Sequence, residues 1–215
     1  MALTRRMFAQ LVASALLLRH LPALAQTPLT VAVGGSPGPN ITQRVVSAGA
    51  PADMLLLAVA PEKLVGLSSF DLSHQTAIPF HDDIRALPKL GRLAGRASTL
   101  SLEALLALKP DLVVDCGNAD ETWLSQARQV SAQTHIPWLL INGELRHTPE
   151  QLRAAGEALG IVSRTAMQAA LARRFIDNAI AFSHTAAANL RFYAARGARG
   201  LETGLQGSLH TEAAE

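Results

Sequence analysis

The stretch Leu100-Ser-Leu-Glu-Ala-Leu-Leu-Ala-Leu-Lys-Pro-Asp-Leu-Val-Val-Asp115 decides the fold class. Ser101 has a short polar side chain that can accept the free amides of a first helical turn, and it predicts a helix over Leu102–Ala107. The apolar run that follows predicts a strand over Asp111–Asp115, and its continuity is typical of a strand buried on both faces. A helix alternating with such strands indicates a parallel α/β sheet.

The same alternation runs through the rest of the chain and predicts an α/β fold with a parallel, Rossmann-like sheet. Further candidate strands are Leu29–Val33, Arg44–Ser47, Leu64–Leu67, Trp138–Ile141 and Leu190–Ala194. Asp120 predicts the start of a helix over Glu121–Val130. Another helix start is predicted at Thr148 and Pro149, with Thr148 as the cap and Gln151 completing a capping box.

A long helix is predicted over residues 163–185. This stretch is rich in alanine and contains neither glycine nor proline. Its apolar residues are spaced by three and four, which is typical of an amphipathic helix; they are Met167, Leu171, Phe175, Ala179 and Phe182. At 1.5 Å per residue the helix would extend roughly 34 Å, the span of a small domain.

The residues after this helix predict the start of a second lobe. We expect four parts: an export signal over 1–25, an N-terminal α/β lobe over 26–162, a bridging helix over 163–188, and an incomplete second lobe over 189–215. A lone strand cannot pair its own backbone or cover an apolar face. We therefore expect the chain after Asn189 to be mobile, and a one-sided cleft to bind its ligand weakly.

The first 25 residues predict the compartment. Thr4–Phe8 contains paired arginines, Leu11–Leu18 is apolar, and Ala23–Ala25 has the small residues of a cleavage site. A membrane-spanning helix needs about 20 consecutive apolar residues, and Arg19 interrupts the run too early. We expect a periplasmic protein exported by the twin-arginine route, with no stable membrane insertion.

Composition excludes one class of partner. Without the signal, the 19 Lys and Arg residues fall to 16, against 17 Asp and Glu, and the formal charge changes from +2 to −1. A basic surface for nucleic acid is therefore absent. The single cysteine, Cys116, cannot form an intramolecular disulfide, so apolar packing must hold the fold together.

Several blocks of the sequence resemble the periplasmic substrate-binding proteins of ABC importers for ferric siderophores, haem and cobalamin. The blocks are Arg44–Pro51, Pro61–Ser69, Leu87–Arg92, Leu100–Val114 and Arg196–Gly204. The resemblance implies two α/β lobes joined by one long helix, with the ligand in the cleft between them and an ABC permease as partner. It also implies a monomeric binding protein that is not an enzyme and carries no cofactor.

Open parallel sheets bind ligands at the carboxyl ends of their strands, so the candidate ligand-binding residues are those that follow the predicted strands and the arginines expected to ring the cleft. They are Ser47, Ala50, Pro51, Ser69, Phe70, Arg92, Arg96, Asn118, Arg146 and Arg196. Phe70 aligns with an aromatic of the cobalamin pocket and is predicted to be a stacking surface; an ordinary core position is the other interpretation.

The arginines in this set favour an anionic ligand, since guanidinium groups pair well with anionic oxygens. We therefore expect an iron(III) chelate of the siderophore type. A Trp-Gln-Gly in the cobalamin branch is replaced here by Ala94–Ala97, which weakens that interpretation. Cobalamin or haem binding within the same family stays an alternative. An exported cofactor-carrying enzyme is another, because redox enzymes often use the twin-arginine route.

Asp120, and with less support Glu121, is predicted to dock onto the permease. Gly117-Asn-Ala-Asp120 resembles a stretch of the cobalamin branch whose acidic residue contacts permease arginines. Capping of the helix that begins at Glu121 would explain Asp120 equally well.

Other motifs are assigned no function. His74, His81, Asp82 and Asp83 lie in a polar loop without metal-ligand spacing, so no metal site is predicted. No catalytic motif is present, and Cys116 after an apolar strand is interpreted as a small buried residue.

Overall fold

A computed structural model describes residues 28–35, 38, 42–74, 80–94, 98–185, 193–195, 197–205, 207–209 and 211–212. The predicted export signal over residues 1–25 lies outside them. The strands are β1 (Thr30–Val33), β2 (Val45–Ser47), β3 (Leu112–Gly117) and β4 (Trp138–Asn142). The α-helices are α1 (Ala50–Val59), α2 (Asp82–Arg85), α3 (Leu102–Ala107), α4 (Glu121–Thr134), α5 (Thr148–Leu159) and α6 (Val162–Ser183). Pro61–Lys63 and Leu145–His147 form short 3-10 helices.

The strands form one sheet in the order β1-β4-β3-β2. Strand β3 lies between two parallel neighbours, with Val46 opposite Val113 and Asp115 opposite Leu140. The three parallel strands therefore end at the same edge of the sheet. This edge carries the loops that follow β2, β3 and β4, and the predicted α/β class with a parallel core is confirmed.

Asp111 fixes the pairing of β2 with β3 at the opposite edge. Its Oδ2 accepts hydrogen bonds from the backbone amides of Gln43 and Arg44, both at 2.8 Å. The Arg44 guanidinium donates to the Leu108 carbonyl at 2.7 Å and the Lys109 carbonyl at 3.2 Å. These bonds give the Leu-Lys-Pro-Asp segment at 108–111 a structural role in starting the two strands in register.

Helices cover both faces of the sheet. Strand side chains alternate between the faces, as the two-residue period of a strand requires. On one face, Val114 and Ile141 belong to a core with residues of α1, α5 and α6. On the other face, Val113 and Leu140 belong to a core with residues of α3 and α4. Because both faces are buried, the strands read as continuous apolar runs.

One strand prediction is wrong, and another strand has an unexpected direction. Leu64–Leu67 is not a strand: it forms only single bridges, from Leu64 to Val45 and from Leu67 to Lys89. β1 is a strand, but it pairs antiparallel with β4 instead of joining the parallel set. Most of the predicted strand Leu190–Ala194 lies outside the described residues, and Tyr193 and Ala194 are not in a strand.

The predicted capping box is also wrong. Thr148 is the first residue of α5 and not its cap, and its hydroxyl donates to the Leu145 carbonyl at 2.6 Å. Gln151 donates its amide to the Glu144 carbonyl at 2.6 Å. Both side chains therefore donate to carbonyls in or directly before the preceding 3-10 helix instead of capping α5. The helix after Asp120 extends to Thr134, four residues beyond its predicted end.

The predicted long helix is confirmed as α6, and the face that packs against the rest of the described chain is not its apolar stripe. The buried residues of α6 are Thr165 and Ala169. Met167 is 72% exposed and Phe175 is 65% exposed in the described structure. The three- and four-residue spacing correctly indicated a helix, but the apolar stripe of α6 is exposed. The packed side of α6 carries small residues because α5 and α6 approach closely at Gly156.

We predict that Gly156→Ala destabilises the lobe. A Cβ at Gly156 would lie 1.9 Å from the Thr165 Oγ1, so the two helices or the threonine must shift. Such overpacking costs roughly 1–3 kcal/mol of unfolding free energy. Urea unfolding should show this loss, and adding Thr165→Ala should recover part of it. Equal stability of Gly156→Ala and the wild-type protein would contradict the close helix contact.

Candidate functional site

A cavity of about 1120 Å³ lies at the carboxyl edge of the three parallel strands. Its floor is formed by Asp115 and Cys116 at the end of β3 and by Asn142 at the end of β4. Its walls come from the start of α1, from Arg92, from the start of α4, and from the loop after β4. The volume is sufficient for a small-molecule ligand.

Two glycines let the loops after β3 and β4 meet at the floor. The Gly143 amide donates to the Gly117 carbonyl at 2.8 Å. A Cβ at Gly143 would lie 2.9 Å from the Gly117 Cα, which leaves no room for a larger residue. Gly117 itself has a φ of 149°, a conformation that L side chains rarely adopt. This contact holds the centre of the cavity floor in place.

Asp115 and Cys116 bring two titratable groups to the floor. Burial raises the pKa of Asp115 to about 6, and a hydrogen bond from the Cys116 amide lowers it by less. Burial, and secondly the Asp115 charge, raises the pKa of the Cys116 thiol to about 12. A thiol that stays protonated at neutral pH is a poor nucleophile. Cys116 is half-buried at the cavity floor instead of fully buried as predicted, and its raised pKa disfavours a nucleophilic role.

Two further carboxylates of the described cavity wall have local donors. The Asp120 Oδ1 accepts from the amides of Thr122 at 2.9 Å and Trp123 at 3.3 Å, and so caps α4. The Glu144 carboxylate lies 3.1 Å from the His147 Nδ1 and accepts a hydrogen bond from the side-chain Nδ2 of Asn142 at 3.3 Å. Both carboxylates therefore have hydrogen-bond donors within the chain before any ligand enters.

A C-terminal segment, Gly207–Leu209 and Glu212, forms a wall that sequence reasoning did not foresee. The Glu212 carboxylate accepts hydrogen bonds from the amide of Leu145 at 2.7 Å and that of Arg146 at 3.3 Å. No local sequence signal links positions 67 residues apart. The mobility expected after Asn189 stays a prediction. The contact of Glu212 with the Leu145 and Arg146 amides was not predicted.

Five of the ten predicted ligand-binding residues line the cavity: Ala50, Pro51, Arg92, Asn118 and Arg146. Arg96 and Arg196 lie outside the described residues. The predicted docking residue Asp120 also lines the cavity, whereas Glu121 is exposed and pairs with Arg128.

Three predicted ligand-binding residues, Ser47, Ser69 and Phe70, do not line the described cavity. The Ser47 side chain is buried and its hydroxyl donates to the Gly49 carbonyl at 3.0 Å. The buried Asp53 carboxylate accepts from the amides of Ser68 and Ser69, each at 2.9 Å, and binds this loop to α1. Phe70 packs against the core on the α1 side, as its alternative interpretation held.

Among the described residues, no group of three or more His, Cys, Asp and Glu side chains is close enough to hold a metal ion. In the same part of the chain, no helix is both long and apolar enough to cross a membrane. His81, Asp82 and Asp83 lie at the start of the short helix α2, where Asp82 pairs with Arg85.

The fold is similar to solved structures of ABC-transporter binding proteins. A solute binding protein from Sulfurospirillum deleyianum matches with a TM-score of 0.68 and 24% identity, covering 80% of this chain and 54% of that one. A periplasmic solute binding protein from Veillonella parvula matches with a TM-score of 0.53 and 20% identity, covering 70% and 44%. No protein-family model matches the sequence, and a comparison with curated proteins gives no match.

These similarities identify the class of fold. The chain has the α/β fold of periplasmic solute-binding proteins of ABC transporters, and the resemblance predicted from its sequence is confirmed at that level. It spans about half the length of the solved structures that it matches.

We predict that Asp115→Asn removes a pH-dependent cost of folding. The folded-state pKa of Asp115 is about 6, above the ordinary value of 3.8. The folded state therefore holds the proton more tightly, and its stability falls as pH rises through this range. Between about pH 4 and 7, the unfolding free energy of the variant should gain on the order of 3 kcal/mol relative to wild type.

The matched control is Asp177→Asn, which removes an exposed carboxylate from α6. Its unfolding free energy should follow the wild-type pH dependence. An Asp115→Asn difference that does not change with pH would show that burial does not raise this pKa.

Proposed function

We propose that this chain is a substrate-binding protein of an ABC importer that captures an iron(III) chelate of the siderophore type. The observation that supports the proposal best is the cavity at the carboxyl edge of β2, β3 and β4. Its position agrees with the general rule for ligands of open α/β sheets. It also agrees with the fold of the solute-binding proteins that the chain matches.

Two arginines of the cavity wall support an anionic ligand. Arg92 and Arg146 are both exposed and both line the cavity. Four carboxylates of the described residues also line it, those of Asp115, Asp120, Glu144 and Glu212, and each accepts a hydrogen bond within the chain. Guanidinium groups are suitable partners for the carboxylate or catecholate oxygens of a chelate.

The compartment and the partner are part of the same proposal. We infer export to the periplasm by the twin-arginine route from residues 1–25, and delivery of the ligand to an ABC permease. The protein would act by binding and release, without catalysis. Haem and cobalamin are the competing ligands, and the binding experiment includes both.

We predict that Arg92→Gln weakens chelate binding. Loss of one charged hydrogen-bond donor should lower affinity about tenfold. Trp123 lines the cavity, so its fluorescence reports binding during titration of the full chain with ferric citrate, a ferric catecholate, haem and cobalamin. Arg153→Gln is the control, because Arg153 lies on α5 and does not line the cavity. Tighter binding of cobalamin than of either ferric chelate would contradict the proposed ligand class.

We predict that Asp120→Asn separates docking from helix capping. Asparagine keeps an oxygen that can accept from the Thr122 amide, so the stability of α4 should change little. If the charge contacts permease arginines, binding to membrane vesicles that contain the cognate permease should fall about tenfold or more. Glu121→Gln is measured in parallel. If Asp120→Asn binds the vesicles normally while Asp120→Ala loses stability, Asp120 caps the helix and does not dock onto the permease.

A further inference from the structure

The carboxyl group of Asp115 lies at the cavity floor with one of its oxygens unpaired. Asp115 is 5% exposed and lines the cavity. Its Oδ1 accepts a hydrogen bond at 2.9 Å from the amide of Cys116, the next residue. Among the described residues, none donates to the Asp115 Oδ2. A buried polar atom without a partner requires an explanation, because burial without a hydrogen bond costs free energy.

The position of Asp115 in β3 places its side chain on the face that α4 covers. Successive side chains of a strand alternate between the two faces, so Asp115 shares its face with Val113. Val113 belongs to the core that contains Ala94 and Ala119 and that packs against Trp123. Ala94, Ala119 and Trp123 also line the cavity. The Asp115 carboxyl group therefore lies where this core opens into the cavity.

The charge of Asp115 does not stabilise the fold. Burial raises the pKa of this carboxyl group to about 6, and the Cys116 amide lowers it by less. An acid whose pKa is raised in the folded state destabilises that state as pH rises and the group ionises. A residue that reduces stability and lines a cleft is typical of a functional site.

The described part of the chain supplies no cation to this carboxylate. Arg92 and Arg146 line the cavity, but neither is among the causes of the shifted Asp115 pKa. The described residues of the cavity include two guanidinium groups and four carboxylates, those of Asp115, Asp120, Glu144 and Glu212. A cationic group of a ligand would therefore meet a cavity with more acidic than basic side chains.

We propose that Asp115 binds an ammonium group of the ligand at the cavity floor, with its Oδ2 as the acceptor of an N–H donor. This inference deepens the proposed function, on which it rests for its biological setting. The ligand would be a chelate whose oxygens contact Arg92 and Arg146 and whose ammonium group contacts Asp115. Charge-assisted hydrogen bonds of this kind are roughly twice as strong as neutral ones.

The single unpaired oxygen favours ammonium over guanidinium. A guanidinium group pairs best with both oxygens of a carboxylate, but the Asp115 Oδ1 is already occupied by the Cys116 amide. A primary ammonium carries three N–H donors on one atom, so one acceptor oxygen is sufficient to bind it.

The test compares two ferric chelates on the full chain, with Trp123 fluorescence as the readout. Both are linear trishydroxamate chelates. One ends in a primary ammonium group, and in the other that amine is acetylated. The wild type should bind the ammonium chelate about tenfold more tightly than the acetylated one. Asp115→Asn should lose this preference, with little change in its affinity for the acetylated chelate. Asp177→Asn, which removes an exposed carboxylate from α6, should keep the wild-type preference.

A second measurement requires no iron. Carbon-13 NMR follows the Asp115 carboxyl group through a pH titration in methylammonium chloride and in tetramethylammonium chloride at equal ionic strength. Methylammonium carries N–H donors and should lower the pKa of Asp115, because it stabilises the ionised form. Tetramethylammonium carries no N–H donor and should have no such effect.

Either of two results would overturn the inference: the same chelate preference in wild type and Asp115→Asn, or the same Asp115 titration in both ammonium salts. The failure of the proposed function would be distinct. If the wild type binds neither chelate while methylammonium lowers the pKa of Asp115, the ammonium site is supported and chelate capture is contradicted.

Discussion

The parallel pairing of β3 with β2 and β4 is the constraint on which the rest of the structure depends. Asp111 starts β2 and β3 in register at one edge of the sheet. Because the strands then run in the same direction, their loops meet at the other edge. The Gly117–Gly143 contact closes the cavity floor there, and helices on both faces leave this edge as the open one. The location of the site is therefore a consequence of strand direction.

This dependence explains what the sequence could predict. Continuous apolar runs indicated β3 and β4, and the rule for parallel sheets then placed Asn118 and Arg146 at the cavity. The runs could not show that β1 is antiparallel, since an apolar strand fits either direction. Leu64–Leu67 has the composition of a strand, but it makes only isolated bridges. The composition of a segment indicates whether it is buried, whereas strand pairing depends on residues that are distant in sequence.

The parts of the site that sequence reasoning missed depend on long-range contacts. Asp53 accepts hydrogen bonds from Ser68 and Ser69, 15 and 16 residues away, and so binds the loop that was expected to contact ligand. Glu212 reaches the loop after β4 from 66 and 67 residues away. Both contacts use buried or half-buried carboxylates with backbone donors. Such pairs follow no period along the chain, and only the folded structure shows them.

The most direct test of the central claim is amide hydrogen exchange of the full chain with and without ferric citrate. If the cavity is the ligand site, the chelate should slow exchange in the three loops at the carboxyl edge, residues 48–51, 117–120 and 143–147. The amides of the exposed face of α6 should exchange at the same rate in both samples. Slower exchange confined to α6, or no change in any of the three loops, would contradict the assignment of the ligand site to this edge of the sheet.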